Sequence, residues 1–287
     1  MTNDESRQDD TPSSFVVGRS SLVDTHCHLD WRTFDTDRDE VVRRAVEAGV
    51  TRMVTIGVNV ASSRRAVELA EQYAEVYAAV GVHPNDSAGF SRETLGKIRA
   101  LASHPKVVAV GEIGLDYYWK KVEPDRQSQA FIAQLELAAE IGKPVIIHNR
   151  DATDDVLTVL ARYFTHRVSR MTPGVLHSFF ESIEVAQRAF ELGFLIGFTG
   201  PITFKKSSGL REVVRVAPAD RLVVETDAPF LTPEPRRGRR NEPAYVKTIA
   251  EQVARARHTS IDEIARQTSA NAGRLFGWAN DYGASSY

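Results

Sequence analysis

The sequence holds a single cysteine, Cys27, among 287 residues. That excludes an intrachain disulfide and any site built from several thiolates, and it fits a reducing compartment. Long apolar runs are missing too: none approaches the roughly 20 residues that a membrane helix needs. Neither sign of charge is in excess. Lys plus Arg number 36 and Asp plus Glu 38, a formal net charge of -2. This argues against a protein that coats nucleic acid non-specifically, while leaving room for a local basic patch. Residues 1–20 lack the basic start and apolar stretch of a secretory signal. They are expected to form a flexible tail, and a cytoplasmic location is expected. With 42% hydrophobic and 26% charged residues, the composition is that of a globular chain, not a disordered one or a coiled coil.

From residue 21 onward two textures alternate. Short β-branched, apolar runs occur at 21–28, 51–58, 75–84, 107–116, 144–151, 174–179, 193–200 and 221–229, with helix-like stretches between them. Gly49, Gly142 and Gly193 close helical stretches just before the next run. Runs that are continuously apolar suggest strands buried on both faces, as in parallel sheets. Eight such units in about 260 residues predict an α/β fold, a (β/α)8 TIM barrel in one domain. Its expected bounds are 21–280, with 242–278 as closing helices and 281–287 as a C-terminal tail. An open doubly wound sheet is the rival, but it would normally carry a Gly-rich phosphate turn after its first strand, where His26-Cys27-His28 stands instead.

In a TIM barrel the chemistry sits at the C-terminal ends of the strands. His26 and His28 end the first run, His83 the third, Glu112 lies in the fourth, His148 in the fifth, His177 in the sixth and Asp227 in the eighth. Five of the eight histidines fall at these positions; His104, His166 and His258 do not and are given no role. Residues i and i+2 of a strand share a face, so His26 and His28 can chelate one ion while Cys27 points toward the helices as a small buried hydrophobe. Two histidines packed near a strand end would give the same pattern, and each remaining residue alone could be a hydrogen-bonded strand end. Together, four imidazoles and two carboxylates exceed what one ion needs and fit two divalent ions sharing a carboxylate.

These residues sit in motifs. DTHCHLD (24–30), AVGVHP (79–84), GEIGLDYY (111–118), IIHNRDA (146–152), LHSF (176–179), GFTGPITFK (197–205), VVETDAPFL (223–231), RRGRRNEPAYV (236–246) and NAGRLFG (271–277) occur in order. The chain resembles the TatD family of metal-dependent deoxyribonucleases, within the amidohydrolase-like barrels, from about residue 21 to 278. The resemblance implies that His26, His28, Glu112 and Asp227 hold one metal, and that Glu112 bridges to a second held by His148 and His177. It implies two divalent ions (Mg, Mn, Zn or Co) and 3′-5′ cleavage of single-stranded DNA. One departure is Phe180-Glu181, where the family often has a small residue and a glycine; it bears on loop shape and substrate fit.

Asp227 is a candidate general base as well as a ligand. The loops after the seventh and eighth strands are the usual phosphate side of this fold. They carry Lys205-Lys206 and Arg236, Arg237, Arg239 and Arg240, which either grip phosphate or form a solvated charge run. His83 and Arg150 are further candidates for substrate binding. Tyr117, Tyr118 and Trp119 either stack on bases or pack their loop. The competing functions are small-molecule amide, lactone or ester cleavage, removal of an acyl group from tRNA, and a non-catalytic scaffold. DNA is the expected partner; no membrane and no obligate protein partner is expected.

Overall fold

The computed structural model describes residues 21–164 and 173–278. The expected tails, 1–20 and 281–287, and His166 lie outside the described residues. Eight strands follow one another: β1 (Leu22–Cys27), β2 (Val50–Ile56), β3 (Val76–Val80), β4 (Val107–Asp116), β5 (Val145–Arg150), β6 (Gly174–Leu176), β7 (Leu195–Phe198) and β8 (Leu222–Val224). Each pairs in parallel with the next, in the order β1 to β8, and a parallel bridge between Cys27 and Ala228 joins the last strand's end to the first. This is the (β/α)8 barrel that the apolar runs predict.

Nine helices surround it among the described residues: α1 (Arg38–Glu47), α2 (Val60–Gln72), α3 (Arg92–Ala102), α4 (Pro124–Ile141), α5 (Thr153–Phe164), α6 (Ile183–Glu191), α7 (Ser208–Val216), α8 (Val246–Arg257) and α9 (Ile261–Phe276). Their starts are written locally. The Asn59 side chain accepts from the Ser62 amide ahead of α2, and Ser91, Ser182 and Ser260 cap α3, α6 and α9 in the same way, satisfying amides that have no partner within the helix. α4 ends on Gly142 at φ 68°, a left-handed position that a side chain would strain. No helix of the described residues is long and apolar enough to cross a membrane.

The apolar interior has two parts. An outer layer lies between strands and helices and includes Leu22, Cys27, Met53, Ile113 and Leu135. The inner one fills the barrel with Val23, Val54, Ile56, Ile146, Val175, Leu195 and Val223, and continues into Leu275, Phe276 and Trp278. The end of α9 and Trp278 therefore stop one mouth of the barrel: Arg52, near the start of β2, lies 4.7 Å over the Trp278 ring, and the Asn271 side chain donates to the carbonyls of Ala219 and Leu222. The other mouth, at the strands' C-terminal ends, stays open for polar groups.

Two strands end sooner than their apolar runs suggest. β6 stops at Leu176 and β8 at Val224, so His177 and Asp227 stand just beyond the ladder. The chain turns there: Ser178 has φ 46° and Asp227 φ 56°. β1 also departs from simple alternation. Between Asp24 and Cys27 it advances three residues while β2 advances from Met53 to Thr55. The extra residue lets Val23 and His26 both face inward, which strict alternation forbids, and it increases local twist.

Candidate metal centre

At the open mouth, six side chains converge. The His26 and His28 Nε2 atoms are 3.3 Å apart. His26 Nε2 lies 3.6 Å from both Glu112 Oε2 and Asp227 Oδ1, and His28 Nε2 lies 3.3 Å from Asp227 Oδ1. The other Glu112 oxygen, Oε1, is 2.7 Å from His148 Nδ1 and 3.3 Å from His177 Nε2. The two oxygens of one carboxylate thus face two separate histidine sets. Candidate ligand atoms within 4.8 Å of one another include those of His26, His28 and Glu112, and those of Glu112, His148 and His177.

Neighbours orient these rings. His28 Nδ1 donates to the Ile56 carbonyl at 3.1 Å, which leaves its Nε2 lone pair facing the cluster. His148 Nε2 donates to Asp116 Oδ2 at 3.1 Å, leaving Nδ1 toward Glu112. His177 Nδ1 is 3.3 Å from Glu225 Oε1, a charge contact without good hydrogen-bond alignment. Glu225 is fully buried; it also accepts from the Ser178 amide and, at 3.2 Å, from the Thr25 hydroxyl. Gly197 makes room for it: a Cβ there would lie 2.6 Å from the carboxylate. Asp24, also fully buried, accepts from the Thr226 amide and hydroxyl at 2.9 and 2.6 Å; burial pushes its pKa up to about 8.

The electrostatics ask for a cation. Burial alone would raise the Glu112 pKa, yet His177 and His148 hold it well below the usual range. Burial would lower His177, but Glu112 and Glu225 drive it well above normal. His28 goes up to about 8, since Asp227 outweighs burial. Burial and the neighbouring rings meanwhile push His26 far down, and His83 down to about 3. The carboxylates want positive charge, and the rings cannot all supply it as protons. His26, with no exposed surface, has no hydrogen-bond partner at Nδ1. A divalent cation meets these demands with neutral rings, so the donor set fits one.

The remaining sequence candidates are spread around the rim. His83 accepts from the Asn85 amide through Nδ1, and its Nε2 lies 3.8 Å from Glu112, against the histidine cluster. Arg150 lies 4.0 Å over the Tyr118 ring. Lys205, Arg237 and Arg239 are exposed, with Arg237 4.4 Å over Phe204. Arg240 differs from the expectation of a substrate contact: it is committed to both Asp37 oxygens and to the Thr33 carbonyl, which ties the loop to the start of α1. Tyr117 donates to Asp155 and packs its loop. Glu181 spans neighbouring loops by accepting from Asn149 and Thr153. Sequence reasoning passed over Asp24, Asp116 and Glu225. Their signal was present: Asp24 precedes His26 by two residues, Glu225 precedes Asp227 by two, and Asp116 ends the run holding Glu112.

Cys27 lies with the outer apolar layer, and its thiol donates to the Val54 carbonyl at 3.4 Å. Cys27→Ala is therefore expected to keep full metal content at a cost of about 1 kcal/mol in stability, whereas His28→Ala loses metal. Elemental analysis of both variants beside thermal melts checks this; parallel loss of metal in both would contradict the orientation.

The chain matches the family model described as TatD related DNase over residues 23–277. The uncharacterized metal-dependent hydrolase YabD of Bacillus subtilis is 47% identical over 255 residues, covering 89% of this chain and 98% of the relative. The 3′-5′ ssDNA/RNA exonuclease TatD of Erwinia amylovora is 40% identical over 262 residues, covering 89% and 100%. Among solved structures, the TatD homologue YjjV of Escherichia coli superposes with a TM-score of 0.83 at 33% identity, covering 89% of this chain and 98% of that one.

Proposed function

This chain belongs to the family of TatD-related DNases and is a metal-dependent hydrolase; from there we propose that it removes nucleotides from the 3′ end of single-stranded DNA, using two divalent ions. The observation that carries the two-ion reading is Glu112, whose Oε2 faces His26 while Oε1 faces His148 and His177. In this reading His26, His28, Asp227 and Glu112 would hold one ion, and His148, His177 and Glu112 the other. Bound there, the ions would activate a water and neutralise charge on the phosphodiester. The protein's own part is to hold the ligands in place before substrate arrives. Asp227, the most open of the two carboxylates, accepts the proton of the attacking water at a carboxylate oxygen. Arg150, Lys205, Arg237 and Arg239 are assigned to the phosphates, a reading supported for Lys205, Arg237 and Arg239 by their exposure on the loops of the usual phosphate side of the barrel. The lone cysteine suits a reducing compartment, and we assign the enzyme to the cytoplasm.

The test is an assay of purified protein with Mg2+, Mn2+, Zn2+ or Co2+ on single- and double-stranded oligonucleotides labelled at the 5′ end. The expected result is a ladder shortened from the 3′ end, with single strands preferred. No cleavage with any ion, alongside hydrolysis of a simple lactone or ester, would overturn the reading. Changing Arg236, Arg237 and Arg239 together to Gln is expected to weaken strand binding and to flatten log K against log[salt] by about 0.7 for each lost phosphate contact. Arg240→Gln should instead lower the melting temperature, because it unties Asp37. A salt slope unchanged in the triple variant would remove that loop from the substrate path.

A further inference from the structure

Seven large hydrophobic side chains are exposed among the described residues: Trp31, Val46, Tyr118, Trp119, Phe180, Val216 and Phe230, at 40–56%. Val46 and Val216 lie on helices α1 and α7. The other five are all aromatic, and all follow strand ends at the open mouth. Four of them stand three residues beyond a polar residue of the site: Trp31 after His28, Trp119 after Asp116, Phe180 after His177 and Phe230 after Asp227. Scattered exposed apolar groups need no explanation, but a ring of them around a polar cleft does.

Four of these aromatics are tied to the site residue before them. The Trp31 amide donates to the His28 carbonyl at 3.2 Å and the Phe230 amide to the Asp227 carbonyl at 2.8 Å. The Tyr118 and Trp119 amides both donate to Asp116 Oδ1 at 3.0 Å, while Oδ2 of that carboxylate receives His148. Four of the five aromatics form two groups. Trp31 and Phe230 meet edge to face at 4.8 Å, with Phe230 6.1 Å from His28. Tyr118 and Trp119 meet at 5.0 Å, with the Arg150 guanidinium 4.0 Å over Tyr118 and 5.4 Å from Trp119.

We propose that these two groups are base-stacking platforms, one beside His28 and Asp227 and the other beside His148, which hold unpaired bases on either side of the bond to be cut. The proposal rests on the nuclease reading and adds to it how the strand is gripped. Every base offers a π face, so such platforms bind without regard to sequence, and Arg150 adds a cation beside the adjoining phosphate. A duplex, whose bases are already stacked, gains nothing from them.

The protein's three tryptophans make the idea measurable. Trp31 and Trp119 are exposed rim residues, and Trp278 is buried at the opposite mouth. The metal-free protein is titrated with a short oligothymidylate and with the same strand carrying abasic spacers, following tryptophan fluorescence. Quenching by the base-bearing strand, lost in Trp31→Ala, Trp119→Ala or both but not in Trp278→Phe, is expected. Each platform lost should weaken binding by about 5- to 150-fold, and the abasic strand should not distinguish wild type from variant. Trp119→Phe should restore most of the affinity. Both tryptophans are exposed, so the Ala variants should melt within a few degrees of wild type. The nuclease reading is judged separately by cleavage. Quenching without cleavage in any metal would remove that reading and leave the platforms standing as a binding site. Cleavage with equal KM for base-bearing and abasic strands would overturn the platforms and leave the nuclease.

Discussion

Glu112→Gln is expected to bind at most about one divalent ion per chain and to lose three or more orders of magnitude in turnover while remaining folded. The substitution keeps shape and volume but removes the one negative charge positioned between the two histidine sets. Two dications about 3.5–4 Å apart repel strongly even at an effective dielectric near 20. With Glu112 neutral, the more weakly held ion leaves. Gln fills the same space as Glu, so the fold is expected to survive while the chemistry does not. Calorimetric metal titration beside rate measurements decides it. Two ions still bound with near-normal turnover would deprive the two-ion reading of its bridge.

Glu225→Gln should behave differently. This carboxylate lies behind His177 and touches no substrate; its work is to place the ring and favour its cation-binding form. Partners of this kind are worth about 10–100-fold in metal affinity. The expected signature is a rise of that size in the metal concentration giving half-maximal rate, with kcat at saturating metal within a few fold of wild type. Glu225→Ala would also leave the Ser178 amide and Thr25 hydroxyl without their acceptor and open a cavity, costing about 2–4 kcal/mol. A Glu225→Gln protein with unchanged metal dependence would show that His177 is oriented by packing alone.

Much of this architecture is legible in the residues because the barrel repeats one local rule. Each buried strand reads as an apolar run, and each ends where a polar residue must emerge. That is why His26, His28, Glu112, His148, His177 and Asp227 can be named from position alone. What hides is set by tertiary contacts. Asp24 and Glu225 look like ordinary strand-end acids; nothing local says that one is sealed against Thr226 and the other against His177. The extra residue in β1 leaves no mark in the pattern, since both registers bury apolar side chains. Arg240 reads like its neighbours until Asp37, about 200 residues earlier in the chain, is seen to hold it. The aromatic spacing is local and visible, but it acquires meaning only when the loops stand around one mouth.

The bridge between Cys27 and Ala228 has a consequence for how the chain reaches its native state. It is the seam where the first strand meets the last, and the neighbouring bonds from the His28 amide to Ala228 and from the Asp227 amide to His26 complete it. His26 and His28 lie on one side of that seam and Asp227 on the other. A nascent chain cannot assemble this ligand set until Asp227 has been made, about 200 residues after His28. A cation held by all three residues would bind the closed ring and not the open one. By mass action it would favour closure, by about 2.7 kcal/mol at a free concentration 100 times its dissociation constant. Loading the enzyme and fastening its barrel would then be one equilibrium.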